Sequence, residues 1–253
     1  MTESLLLALG SGLVAGFANV AGGLLSLSRR SWDRVRQSYL VAAGAGFMLA
    51  AVLLRMTPES YRIAAAHATP GLAVGTLLLL GYLFVHAAEH VLVGHFHFGE
   101  ETHHEHWVEP VVGTTALLGL LLHAFFDGVS IGSGFLVKPE LGVLVAIAIF
   151  LHKVPEGFTV ASIMTAAGRS PREAGWSAAW LGIATVVGVA VISRWPGMVR
   201  FALPFSAGAA LYVAASDLIP AVNETKGIRM ALWVFGGVVA FYGTEALLGL
   251  LGL

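Results

Sequence analysis

The chain holds 253 residues, of which 57% are apolar and 11% charged, with a mean hydropathy of +0.82 and a formal net charge of −1. A water-soluble domain carries roughly 25% charged residues, so this chain has too little polar surface to close a globule against water and belongs in a lipid bilayer. Near-zero net charge excludes a strongly basic nucleic-acid binder, and a chain without cysteine has neither disulfides nor thiolate metal ligands.

Met1-Thr2-Glu3-Ser4 lacks the positive start of a signal peptide, and the apolar stretch after it outlasts one, so it reads as a first span. Apolar runs at 5–27, 38–56, 71–93, 111–135, 141–166, 174–193, 199–221 and 229–252 suit a crossing, which takes about 20 residues. None shows the alternation of a barrel strand. The expectation is an all-α integral membrane protein of eight spans in a single transmembrane domain, 1–253. Loops after the odd spans hold Arg29, Arg30, Arg34, Arg36, Arg169, Arg172, Lys226 and Arg229, whereas the opposite side has Arg62, Lys138, Arg194 and Arg200, with Arg55 at the end of span two. The positive-inside bias then puts both termini outside the cytosol, in a plasma (inner) membrane.

Beyond span two, Glu59 is a cap or an outer attractor of cations. Span three ends His86-Ala87-Ala88-Glu89-His90, which sets His86, Glu89 and His90 on one helical face toward the cytosol. The loop 94–110 holds five of the ten histidines, His95, His97, His103, His104 and His106, among carboxylates, a weak exchangeable tract for a cation such as Zn²⁺ or simply a solvated loop.

Spans four and five carry the densest chemistry. Span four reads His123-Ala124-Phe125-Phe126-Asp127-Gly128 and span five His152-Lys153-Val154-Pro155-Glu156-Gly157. In each, an imidazole and a carboxylate four residues apart share a helix face, and ionisable groups at membrane depth suggest function. Facing each other, the two helices offer two neutral nitrogens and two carboxylates to one cation. That set suits Zn²⁺, Fe²⁺, Mn²⁺ or Co²⁺ better than Ca²⁺ or Mg²⁺. A dication would balance Asp127 and Glu156. Pro155 predicts a kink beside the ligands, and Gly128 and Gly157 permit close helix approach. The alternative is two separate intrahelical pairs, His123 with Asp127 and His152 with Glu156, that only hold the bundle together.

Span seven, Gly208-Ala209-Ala210-Leu211-Tyr212 through Leu218-Ile219-Pro220, aligns with span two, Gly46-Phe47-Met48-Leu49-Ala50 through Met56-Thr57-Pro58, at an offset of 162. Glu89 in span three matches Glu245 in span eight at an offset of 156. Three spans before the centre echo three after it, and an odd number of crossings inverts the copies.

The motifs His-x-x-x-Asp-Gly and His-Lys-x-Pro-Glu-Gly, with Ser206-Ala207-Gly208 through Asp217-Leu218-Ile219-Pro220 and a His-rich loop between spans three and four, resemble the Zrt/Irt-like (ZIP) divalent metal transporters. The resemblance implies eight helices in a three-two-three inverted-repeat plan, with His123, Asp127, His152 and Glu156 binding the transported ion, zinc first and Cd²⁺, Fe²⁺, Mn²⁺ or Co²⁺ as options. The partners expected are the metal ion and the lipid bilayer, and a homodimer is compatible with the plan. Many members have Asn after the first His and Asp after the second, making a neighbouring second site. Here those positions are Ala124 and Lys153, and span six has no mid-membrane acid, Glu173 lying at its edge. The expectation is one ion with Lys153 as a built-in counter-charge paired to Glu156, unless Lys153 snorkels away. The resemblance also sets Met48 where the family's second span can place a thioether near the site, with core packing as the alternative, and His86, Glu89, His90 and Asp217 are candidates for the ion's path onward.

The rival reading is a membrane-embedded zinc hydrolase. His86-x-x-Glu89-His90 matches the inverzincin peptidase pattern, with two histidines as ligands and the glutamate as base, and Glu245 or Asp217 as third ligand. It leaves spans four and five unexplained.

Overall fold

Every described residue run long enough to have secondary structure is helical, as a bilayer demands of a chain that must satisfy its own backbone. The computed structural model describes residues 2–28, 34–88, 90–91, 110–223 and 227–252. Most of the His-rich loop, and Glu89, lie outside the described residues.

The helices are α1 (Thr2–Leu27), α2 (Arg34–Ala51), α3 (Thr57–Ala66), α4 (Gly71–Ala88), α5 (Pro110–Val137), α6 (Pro139–Ala166), α7 (Pro171–Arg194), α8 (Val199–Tyr212), α9 (Ile219–Asn223) and α10 (Ile228–Leu250). Eight continuous rods among them are long and apolar enough to cross a membrane. The second is α2 joined to α3 and the seventh α8 joined to α9. The second rod runs on to Ala66, past the end of its apolar run at 56. Pro58 does not stop it, because a π-helical turn over Val52–Met56 loosens the backbone just before the proline, with Thr57 donating to the carbonyl of Val52. The seventh rod does the same, with a π turn at Val213–Leu218 before Pro220. Extra residues in a π turn are one of the ways a helix accommodates a proline.

Local sequence sets the other ends. Pro139 and Pro171 sit in the first turns of α6 and α7, where a missing amide costs nothing. Ser170 and Glu173 close a reciprocal capping box on α7. Beyond α6, Gly168 takes φ +76°, a left-handed conformation that a residue with a side chain rarely holds.

Glycine decides which helices touch backbone to backbone. A Cβ at Gly22 of α1 would strike the Val154 carbonyl of α6, and one at Gly157 of α6 the Asn19 carbonyl of α1. Gly128 of α5 meets Thr185 of α7, and Gly188 of α7 meets Phe125 of α5, in the same way. Those crossings draw α1, α5, α6 and α7 into one set. A second set holds two such crossings, Gly46 of α2 with Gly237 of α10 and Gly81 of α4 with Gly208 of α8, and the two pairs meet where α2 packs on the π turn of the seventh rod. Small residues at a crossing let lipid-embedded helices gain dispersion contacts that lipid itself does not offer.

Between the sets, side chains make the contact. The rings of Phe84 on α4, Phe126 on α5 and Phe205 on α8 pack with centroids 5.2–5.6 Å apart. The main apolar core gathers Phe47, Met48 and Met56 of the second rod with Leu144 and Ile149 of α6 and Leu203 of α8.

Candidate metal centre

Each carboxylate of the paired motifs is followed by a glycine already pressed on a neighbouring backbone. Gly128 lies against α7 and Gly157 against α1, so α5 and α6 are held from behind while His123, Asp127, His152 and Glu156 turn toward each other. One ligand atom from each of the four lies within 4.8 Å of the others. Among the described residues this is the only group of three or more such side chains that converges so. Asp127, His152 and Glu156 are buried and His123 nearly so.

The two pairs are not separate. His123 Nε2 stands 3.2 Å from Asp127 Oδ2 along α5, and His152 Nε2 reaches the same oxygen from α6 at 3.3 Å. His152 Nε2 is 3.9 Å from Glu156 Oε2. On its other side, His152 Nδ1 lies 3.2 Å from the Ala148 carbonyl. A proton on Nδ1, donated there, leaves the Nε2 lone pair facing the carboxylates, which is the orientation that a second hydrogen bond gives a metal-binding imidazole.

Lys153 completes the arrangement. It is fully buried and does not snorkel. Its Nζ lies 2.6 Å from Asp127 Oδ2 and 2.5 Å from Glu156 Oε2, so it bridges both acids rather than Glu156 alone. The ammonium thus neutralises one of two negative charges in a place where an unpaired charge is expensive. A dication added to neutral imidazoles, two carboxylates and this ammonium leaves one surplus positive charge, not the neutral set expected from the acids alone.

Beside the four ligands, two buried groups have no hydrogen-bond partner among the described residues, Glu156 Oε1 and the whole side-chain amide of Asn19; the other such atoms, on Ser133, Glu140, Arg169 and Glu245, belong to none of the four ligands. Asn19 escaped the sequence reading, although a lone amide inside an apolar span was a visible signal. It sits where α1 crosses Gly157, next in the chain to Glu156.

The remaining candidates lie elsewhere. Met48 is buried in the apolar core on α2. His86 and His90 stack with ring centroids 4.1 Å apart, and His90 Nδ1 donates to the His86 carbonyl over 2.9 Å. The His86 ring also meets Tyr212 edge-on at 5.7 Å. Asp217 lies in the π turn of the seventh rod, half-buried and already engaged. Neither histidine nor Asp217 joins the four-ligand group. Glu245, the other third ligand a hydrolase would need, pairs with Arg55 of the second rod. Glu59 is no open attractor: Arg62 donates to its Oε1 at 2.5 and 2.9 Å, and Lys138 stands 3.8 Å from its Oε2.

The sequence is similar to those of known proteins. A family model described as ZIP zinc transporter matches residues 108–245, the stretch that contains α5 through most of α10. The chain is 30% identical over 250 residues to the zinc transporter GufA of Myxococcus xanthus, covering 90% of this chain and 96% of that one. It is 26% identical over 223 residues to zinc transporter ZIP13 of Pongo abelii, 79% of this chain. With zinc transporter ZIP9-B of Xenopus laevis it shares 28% over 162 residues, 59% of this chain. The matches span 64% and 53% of the lengths of those last two proteins. With a family model matched over more than half of the chain and a relative 30% identical nearly end to end, the chain belongs to the ZIP zinc transporter family.

Proposed function

We propose that the protein carries a divalent transition-metal cation, zinc foremost, across a membrane toward the cytosol through one site made by His123, Asp127, His152 and Glu156. The observation that carries this is the convergence of those four ligand atoms, within 4.8 Å, from two helices inside the bilayer-spanning bundle. Two imidazoles and two carboxylates match the borderline character of Zn²⁺ and tolerate Cd²⁺, Fe²⁺, Mn²⁺ or Co²⁺. GufA, ZIP13 and ZIP9-B are named as zinc transporters, which favours zinc.

The ion sheds water as it meets the lone pair of His152 and the shared oxygen of Asp127. Lys153 acts as the counter-charge of a mononuclear site. Ligation needs neutral imidazole and ionised carboxylate, so protonation on the delivery side favours release. Uptake indifferent to pH would count against that step.

The plan is three helices, two, then three, with the flanking triplets inverted. Its support is that the crossing glycines repeat at the sequence offsets: Gly46 and Gly208 at 162, Gly81 and Gly237 at 156. The π turns before Pro58 and Pro220 fall in register with them. The glycine-joined sets are the bodies that move, α1, α5, α6 and α7 sliding against the second, third, seventh and eighth rods across a contact made by side chains. The arginines of the odd loops set both termini outside, in a plasma (inner) membrane.

The test is uptake by purified protein in liposomes, with Zn²⁺, Cd²⁺, Fe²⁺ and Mn²⁺ compared and Lys153→Ala alongside. Metal-dependent uptake that vanishes with His123→Ala supports the proposal. Hydrolytic activity with no uptake would replace it by the hydrolase.

A further inference from the structure

We propose that Lys153 is a tethered counter-cation whose charge lets the carrier return without an ion, so that the protein performs net delivery rather than one-for-one exchange. The inference rests on the transport reading above and concerns the half of the cycle that reading leaves undescribed.

The ammonium and the ion want the same oxygens. Lys153 Nζ holds Asp127 Oδ2 at 2.6 Å and Glu156 Oε2 at 2.5 Å, and those are the oxygens nearest the inward nitrogens of His123 and His152. An arriving dication must push the ammonium off at least one of them. Somewhere to go exists: Glu156 Oε1 is buried and has no partner among the described residues. A lysine three positions before Glu156 can pass from one oxygen of that carboxylate to the other without leaving its helix. It therefore stays in the site, charged, in both halves of the cycle.

That changes the electrostatics of crossing. The cost of burying a charge in a low-dielectric interior grows with the square of that charge. With Lys153, and once any protons that aided release have left so that the imidazoles are neutral and both carboxylates ionised, two carboxylates and one ammonium leave a single negative charge without the ion and a single positive charge with it. The loaded and unloaded carriers then meet barriers of similar size. Without Lys153 the loaded site is neutral but the unloaded one carries both negative charges. Its burial cost is about fourfold that of a single charge. Such a carrier moves only when an ion is aboard, and its cycle becomes exchange.

The experiment reconstitutes wild type, Lys153→Gln and Lys153→Met in liposomes clamped at zero potential, with equal, slightly alkaline pH on both sides. Initial zinc uptake is compared between vesicles with no metal inside and vesicles loaded with unlabelled zinc. Zinc affinity of the detergent-solubilised proteins is measured by equilibrium dialysis. Wild type is expected to take up zinc into both kinds of vesicle at nearly the same rate. Both variants should lose about tenfold or more in metal-free vesicles, regain uptake when zinc is inside, and bind zinc about tenfold more tightly.

Variants with unchanged uptake into metal-free vesicles overturn the proposal. So does uptake lost equally with and without internal zinc in a variant that still binds it. Loss of zinc binding in both variants overturns it too, because removing a competing cation weakens a dication's site only if the lysine merely holds that site together. Absence of zinc uptake in wild type, by contrast, defeats the transport reading itself.

Discussion

Glu59 and Asp127 are both carboxylates held against a lysine, and they are satisfied in opposite ways. Each oxygen of Glu59 has its own fixed cation, Arg62 on Oε1 and Lys138 on Oε2. That cluster ties the first turn of α3 to the link between α5 and α6 and leaves nothing for a visitor to do. Around Asp127, three nitrogens from His123, His152 and Lys153 crowd one oxygen, while Glu156 Oε1 nearby has no partner at all. A structural ion cluster divides its donors among its acceptors. The inner one stacks its donors on a single atom and leaves another bare, at a cost that packing alone does not repay. Unequal sharing, more than burial or charge count, separates the proposed site from the fastening.

The contrast can be broken by mutation, with the largest effect expected at the inner cluster. His123→Ala should cut zinc uptake in liposomes by about a hundredfold or more while leaving the melting temperature close to that of wild type, since binding groups are lost but no fixed cation is stranded. Melting and uptake lost together would make His123 structural. Glu59→Gln should do the reverse, lowering stability by about 1 kcal/mol because Arg62 and Lys138 are well exposed and water takes over much of their pairing. Uptake per folded molecule should persist, and thermal denaturation alongside uptake checks both halves.

A smaller difference separates the inner cluster from the His86 and His90 stack. His86→Ala and His90→Ala should slow uptake by only about two- to fivefold, as groups proposed for the onward path and outside the four converging ligands. Abolished uptake would move the site to α4. The smallest effect is that of salt. Raising ionic strength from about 0.15 to 1 M shortens the screening length from about 8 to 3 Å. The stability that Glu59 confers should shrink accordingly, while zinc affinity, governed by buried groups, should stay nearly constant. An affinity that falls with salt in parallel with that stability would place the ion at the exposed cluster.

Much of this was legible in the chain because its signals are local. Apolar runs marked the eight rods, and the four-residue spacing of His123 with Asp127 and of His152 with Glu156 set each pair on one face. Non-local facts were less accessible. That His152 reaches across to Asp127 depends on how closely α5 and α6 approach, which Gly128 and Gly157 govern through α7 and α1. No spacing within one helix contains that. The second rod outlasted its apolar run because hydropathy falls at Arg55 and Pro58 while the backbone passes through a π turn. The partner of Arg55 comes from α10 and that of Glu59 Oε2 from the link before α6, each far away in the chain. Asn19 was visible as a polar interruption, but its place beside Gly157 appears only once α1 is docked on α6.

The central claim is that one ion is held jointly by α5 and α6, and the most direct test is zinc uptake by His123→Ala, His152→Ala and the double variant in the same liposomes. Groups that act as a unit are non-additive. Each single change should therefore abolish uptake, and the double variant should be no worse than either. If one variant retains wild-type uptake, or if two partial losses simply multiply, the two helices do not share an ion.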